Sequence, residues 1–318
     1  MTSRNQSGFQ CLIYLLIRPP LKVIKMTVPS QKRQRKTVAE IFNTPQNCRK
    51  GINSKVKHKK LKIGFIQYNI LQNAATDNEA ELLRHIRDLL KKKPDLILAP
   101  EIFLGSPQNK ARFAETAKLY RSTIEKLRIL SKKSGCHFYG SIIEDSGGTF
   151  YNTAIFINSK GKAATVYRKK HLFRFDGEHR LFGAGRDAAV FSAPWGKTAP
   201  QICYDIRFPE LLRGMVFSGA KIVLVAAQWP DSRSDHWLTL LKARAIENQI
   251  YVLACNRTGT KNQLTYGGLS CAISPWGEFL CLFDSNHQTG FVQIDLSLIT
   301  TVRKRYPFLK DADVKSSF

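Results

Sequence analysis

Cys203 lies between a run that reads as a short buried strand, residues 199–202, and a helix that begins near Phe208. A thiol at a strand-to-helix turn is held rigidly at the open end of a sheet, close to helix N–H groups. Their partial positive charge favours a thiolate and would favour an oxyanion beside it. A cysteine at a strand end is more often a small buried hydrophobe than a nucleophile. Its company shifts the balance, because Asp205, Arg207 and Glu210 crowd a place where a core thiol would have apolar neighbours.

Two other strand-like runs end in groups that could serve this thiol. Glu101 follows Leu96-Ile97-Leu98-Ala99-Pro100. Its bland reading is a solvated carboxylate at a strand end. Its functional reading is a general base, since a carboxylate at the mouth of an apolar sheet is partly desolvated and takes up a proton more readily. It could accept the thiol proton and return it to a leaving amine. Lys169 sits in Tyr167-Arg168-Lys169-Lys170-His171-Leu172-Phe173. Most basic runs are simply solvated, but a fixed ammonium can also donate to the oxygen of a tetrahedral intermediate. The aromatic neighbours favour the second reading, and strand alternation puts Lys169 on the side of Tyr167 and His171, with Lys170 opposite. Glu178, in Asp176-Gly177-Glu178-His179-Arg180, is a loop charge, a holder of Lys169 or a proton-sharing partner of Glu101.

The elements that must position these groups alternate strand and helix. Residues 61–67, 96–99, 199–202, 221–227 and 250–255 read as strands, and the fully apolar 221–227 run suits one buried on both faces. Residues 78–93, 113–133, 208–218 and 235–248 read as helices, the first capped by Asn78 and stopped by Pro94, the second stopped by Gly135. Gly147-Gly148 marks a hairpin, and residues 290–294 form a closing strand followed by a tail. Two pseudo-equivalent strand–helix halves predict an α/β fold, an α-β-β-α sandwich of two mixed sheets with helices on both outer faces.

The 318 residues, 43% hydrophobic, suffice for one large domain. The formal charge is +26, and residues 1–60 hold fourteen of the fifty Lys and Arg against a single acidic residue, Glu40. We read residues 1–60 as a basic, disordered extension and 61–318 as the catalytic domain. The extension lacks aromatic interleaving or a nucleic-acid module, so nucleic acid is not an expected partner. No apolar run approaches the ~18 residues needed to span a bilayer, so no membrane partner is expected. Seven cysteines without a C-x-x-C pair indicate reduced thiols, a cytoplasmic location and no metal site.

Taken together, Pro100-Glu101, the Lys169 segment and Ile202-Cys203-Tyr204-Asp205-Ile206-Arg207-Phe208-Pro209 resemble the Glu, Lys and Cys motifs of the nitrilase superfamily, the carbon–nitrogen hydrolases. Ala243-Arg244-Ala245-Ile246-Glu247-Asn248-Gln249, Asn256-Arg257-Thr258-Gly259, and Gly268-Leu269-Ser270 followed by Pro275-Trp276-Gly277 agree, so the likeness spans roughly residues 61–312. The resemblance implies a four-layer fold, a Glu101–Lys169–Cys203 triad with Glu178 in support, and neither metal nor organic cofactor. It also implies an oxyanion held by Lys169 and the Tyr204 N–H, and a homodimer or larger homo-oligomer. The segment from Gln228 to Trp237 resembles the ω-amidase branch, which hydrolyses the terminal amide of 2-oxoglutaramate-type acids. Position 228 departs from several such relatives, which carry Asn or another small polar residue there.

A carboxylate-bearing substrate needs a cation. Arg233 and Arg207 are the candidates, a guanidinium pairing with carboxylate in bidentate fashion, with Trp229 in the same segment as a third binding residue. Arg207 has a structural alternative as a partner of Asp205 or Glu210. The expected activity is thiol-dependent hydrolysis of a small ω-amide with release of ammonia. Its rivals are an N-carbamoyl or other aliphatic amide hydrolase on the same scaffold, and a non-catalytic binding protein whose basic tail docks nucleic acid.

Overall fold

The architecture is that of a computed structural model describing residues 60–187, 190–286 and 288–312. The basic extension, Lys60 excepted, lies outside these residues. Three parallel strands form the centre of each of two six-stranded sheets. In the first sheet, β1 (Lys60–Gln67), β2 (Leu96–Leu98) and β3 (His137–Ser146) run parallel. Helix α1 (Ala75–Leu90) connects β1 to β2, and α2 (Phe113–Ser134) connects β2 to β3. Antiparallel strands β4 (Thr149–Ile157) and β5 (Ala163–Arg168) extend one edge. The far edge is completed late in the chain, so the order is β14-β1-β2-β3-β4-β5.

The second sheet repeats the device. After the four-residue α3 (Glu178–Leu181) and the short β6 (Phe191–Ala193), β7 (Gly196–Ile202), β8 (Ile222–Ala227) and β9 (Tyr251–Asn256) lie parallel. Helices α4 (Pro209–Phe217) and α5 (Ser234–Asn248) cross between them. Pro209 opens α4 at a position whose N–H would have no helical partner in any case. The polar hairpin of β10 (Thr258–Lys261) and β11 (Leu264–Gly267) stands apart from both sheets. Strands β12 (Cys271–Ile273) and β13 (Phe279–Leu282) then finish the order β13-β12-β9-β8-β7-β6. The last strand, β14 (Gln288–Asp295), returns to pair antiparallel with β1 over its whole length.

The two sheets pack face to face. Phe65, Leu98 and Tyr139 of the first join Ile202, Leu224 and Leu253 of the second in one apolar core. The Tyr139 hydroxyl crosses between the sheets and donates to the carbonyls of Gln201 and Leu224, at 3.2 and 3.0 Å. A second core lies under α1 and α2, where Leu82, Ile86, Tyr120 and Leu127 cover the outer face of the first sheet. Trp237, Leu241 and Ala245 of α5 and Leu212 of α4 do the same for the second. The layers are therefore helix, sheet, sheet, helix, as the alternating pattern predicts.

Two local expectations are corrected. Asn78 does not cap α1; it lies one turn inside, buried, and its amide bridges the Leu71 N–H and the carbonyls of Leu71 and Leu104. The chain after β14 is not simply a tail, because helices α6 (Ser297–Arg305) and α7 (Phe308–Asp311) follow and α6 buries Ile299 and Val302. The β10–β11 hairpin is not expected from the residue pattern, since its residues are mostly polar. Gly135, by contrast, closes α2 in the left-handed conformation expected of a helix-stop glycine, with φ 72°.

Candidate active site

In a doubly wound sheet, ligands bind beyond the carboxyl ends of parallel strands. Glu101 lies three residues past β2, Cys203 immediately past β7, and Gln228 immediately past β8. Lys169 follows β5 directly, and Glu178 begins the short helix α3. All five line one cavity of about 840 Å³, counting its solvent-facing mouth. Tyr204, Arg207, Trp229 and Arg233 line the same cavity.

Lys169 and Glu101 are only 3% and 4% exposed. The Lys169 ammonium lies 2.8 Å from Glu101 Oε1 and 2.9 Å from each oxygen of Glu178. Of the alternatives for Glu178, the geometry supports a holder of Lys169. Asn152 Nδ2 donates to both acids, at 2.7 Å to Glu101 and 3.2 Å to Glu178. The second Glu101 oxygen accepts from the Gln228 backbone N–H at 2.8 Å. Burial opposes the Lys169 charge, yet the carboxylates of Glu101 and Glu178 outweigh it and hold this ammonium well above the ordinary lysine range. The neighbouring Lys170 is exposed and is not among the residues that line the cavity. Close approach behind the lysine depends on Gly185, where a Cβ would sit 2.0 Å from the Arg168 carbonyl oxygen.

Cys203 adopts a left-handed backbone, φ 47°, as β7 turns straight into a 3-10 turn, Cys203–Arg207. Non-glycine residues reach that region at a cost, and such strain gathers at functional positions. The turn is locked by the fully buried Asp205. Its carboxylate accepts from Tyr167 Oη at 2.8 Å and from the N–H groups of His171 and Ile202, at 3.0 and 3.2 Å. One buried acid thus ties the lysine segment to the cysteine turn. Tyr204 N–H lies in the first turn of the 3-10 element, where helical N–H groups lack intrahelical acceptors.

The expectation that local N–H groups favour a thiolate at rest is not met. Burial pushes the Cys203 thiol well above its ordinary range, and the Glu101 carboxylate adds to this; the Lys169 charge opposes it without prevailing. The resting group is a thiol beside a carboxylate that can take its proton. Among the described residues no three His, Cys, Asp or Glu side chains are grouped to hold a metal ion.

The cations of the cavity fall into two kinds. Lys169 is neutralised by its two acids. Arg207 stacks over the Trp229 ring at 4.7 Å and touches His236 Nδ1 at 3.3 Å, and Arg233 lies 5.2 Å over the Phe173 ring. Among the described residues neither guanidinium has a carboxylate within salt-bridge distance, so the reading of Arg207 as a partner of Asp205 or Glu210 is set aside. A third cation escapes the sequence pattern. Lys261, at the end of β10, lines the cavity with Ser106 Oγ at 3.2 Å as its hydrogen-bond partner. Burial, reinforced by the Arg257 charge, pushes its ammonium below the usual lysine range. Only the pairing of a polar hairpin with the cavity mouth could have flagged it. Trp229 is oriented from both sides: its indole N–H donates to the Arg233 carbonyl and its backbone to Asn256 Oδ1, both at 2.7 Å.

Residues 62–304 match the family model described as carbon-nitrogen hydrolase. The chain belongs to the carbon–nitrogen hydrolase family. Over 224 residues it is 37% identical to the 2-oxoglutaramate amidase of Bacillus subtilis (strain 168), an alignment covering 69% of this chain and 85% of that protein. It is 34% identical over 281 residues to the deaminated glutathione amidase of Dictyostelium discoideum, covering 80% of this chain and 95% of the other. The carbon-nitrogen hydrolase from Helicobacter pylori G27 superposes with a TM-score of 0.76 over 81% of this chain and 97% of its own; at 23% identity, that likeness concerns the fold. Among the described residues of this family member, no helix is long and apolar enough to cross a membrane.

Proposed function

We propose that this carbon–nitrogen hydrolase is a thiol-dependent amidase that releases ammonia from a small ω-amide carrying a carboxylate, of the 2-oxoglutaramate type. The observation that carries the reading is a cavity where a thiol, a carboxylate and a clasped ammonium stand beside the cations Arg207 and Arg233, which have no salt-bridged acid among the described residues. The family and the 2-oxoglutaramate amidase relative support it.

In this mechanism Cys203 Sγ attacks the amide carbon while Glu101 takes the thiol proton. The carbonyl oxygen becomes an oxyanion that accepts from the Tyr204 N–H and the Lys169 ammonium. Lys169 has three N–H donors; one can serve both oxygens of Glu178 and a second Glu101, which leaves the third for the substrate. Collapse breaks the C–N bond, Glu101 protonates the departing nitrogen, and ammonia leaves an acyl thioester. Water then gives a proton to Glu101 and attacks the thioester carbon. The C–S bond breaks, the sulfur recovers its proton and the acid departs. Arg233, Arg207 and Lys261 hold the substrate carboxylate, and Trp229 forms part of the wall. A cytoplasmic location and a homodimeric assembly belong to the same proposal; sedimentation of the purified chain tests the second.

The test is ammonia release from 2-oxoglutaramate-type amides, uncharged aliphatic amides, nitriles and N-carbamoyl amino acids. The carboxylate-bearing ω-amides are expected to turn over fastest. Faster release from N-carbamoyl amino acids would replace this reading with a carbamoylase. For Arg233→Ala, kcat/KM on an acidic amide should fall about 10-fold or more, the scale of one unpaired polar contact. An unchanged value removes Arg233 from the substrate site.

A further inference from the structure

Resting on the amidase reading, we infer that Arg257 and Gln228 form a positioning relay that sets the orientation of Glu101 and selects which of its oxygens receives the thiol proton. The mechanism above leaves Gln228, which lines the cavity, without a task. It touches both reacting groups through its backbone. Its N–H donates to Glu101 Oε2 at 2.8 Å, and its carbonyl accepts from Cys203 Sγ at 3.6 Å. Its side chain fixes that backbone. Nε2 donates to the Glu101 carbonyl at 2.8 Å, which turns Oε1 toward Arg257 Nη1, 3.5 Å away. An asparagine, one methylene shorter, could not span both partners from the same backbone position.

Arg257 gives the relay its anchor. It is 1% exposed, and it is held by the carbonyls of Thr258 at 3.0 Å and Ile70 at 2.5 Å, with its guanidinium 4.5 Å over the Tyr266 ring. None of these partners is a carboxylate. An arginine buried among carbonyls and a ring cannot rotate away, so the glutamine oxygen facing it is fixed. The consequence falls on Glu101. Its Oε1 accepts from Lys169 Nζ and Asn152 Nδ2, while Oε2 accepts one backbone N–H. Oε2 therefore keeps the free lone pair, and Gln228 holds that oxygen on the same residue that the thiol faces.

The test compares Gln228→Met, Arg257→Met and the double variant in the full-length protein, with two readouts. The first is kcat and KM for amide hydrolysis. The second is the rate at which iodoacetamide alkylates Cys203, read by mass spectrometry, which needs no knowledge of the substrate. Misplacing a base by about an ångström costs on the order of 10²-fold. Each single variant should therefore lose roughly 10- to 100-fold in kcat with KM within about threefold, and alkylation should slow in parallel. Because the residues act in series, the double variant should be no slower than the worse single. Unchanged kcat and alkylation in Gln228→Met, losses confined to KM, or single losses that multiply would each overturn the relay. Should Arg257→Met fail to fold, Gln228→Met decides alone. If the wild type hydrolyses no amide, the amidase reading fails while the alkylation arm still judges the relay.

Discussion

The two halves of the molecule present their reactive groups by the same device and then treat them differently. Each half is a strand–helix–strand–helix–strand unit, and in each the chain leaves a parallel strand through a left-handed non-glycine residue: Ile102, φ 44°, beside Glu101 in one, and Cys203, φ 47°, in the other. In the first half the carboxylate is pinned by Lys169, Asn152 and the Gln228 N–H, three donors within 2.8 Å. In the second half the sulfur's contact to the Gln228 carbonyl is long, at 3.6 Å, and it otherwise interacts with Glu101 and Lys169 across the cleft. The base is preorganised; the nucleophile is anchored through its backbone turn but its tip is held lightly. A group that must form and break a covalent bond needs that freedom, whereas a group that only carries a proton back and forth gains from being fixed.

The sharpest way to break the comparison is to remove the lightly held partner. Cys203→Ala should abolish ammonia release to background while leaving the fold intact, since only one sulfur atom is removed; residual turnover above background would mean another nucleophile. Removing the clamp on the rigid side comes next. Lys169→Met deletes an oxyanion donor, which costs about 10²-fold or more in kcat. It also strands the buried Glu101 and the partly buried Glu178 carboxylates, a loss of up to about 3–5 kcal/mol on the scale of broken buried ion pairs. Steady-state kinetics and thermal unfolding read the two effects, and a variant with a wild-type melting temperature would mean that the acids were never balanced by this ammonium.

A smaller effect sharpens the contrast through its sign. Burial and the Glu101 carboxylate both raise the Cys203 thiol. In Glu101→Gln the negative neighbour disappears, so the thiolate is disfavoured less. The midpoint of Cys203 alkylation against pH should move down, though burial keeps it above that of a free thiol, even as turnover collapses. A midpoint moving up would mean that Glu101 favours the thiolate.

Several elements are legible from residue types alone. Strand β8, Ile222–Ala227, is an uninterrupted apolar run, and such a run is stable only when buried on both faces. Helix α2 carries its stop at Gly135. Helix α6 cannot be read in the same way, because only Ile299 and Val302 are buried in a segment that ends in three consecutive basic residues. The β10–β11 hairpin is equally opaque. It contributes to the cavity and not to the core, so hydrophobic periodicity carries no trace of it. In the site, Glu101 and Cys203 stand out as polar residues at the ends of apolar runs, whereas Lys169 lies in a basic run and is marked by its aromatic neighbours; all three line one cavity.

What the amino-acid order determined by itself was local: which runs are apolar enough to be buried, where turns and helix stops fall, and which unlike residues sit at strand ends. These follow from backbone preference and side-chain solvation, which act over a few residues. The protonation of Cys203, the clasp of Glu178 on Lys169, the gathering of Arg207, Arg233 and Lys261 at one cavity, and the link from Arg257 through Gln228 were decided by the packing of two sheets. Charge–charge and desolvation energies depend on distances between segments far apart in sequence, and only tertiary structure sets those distances.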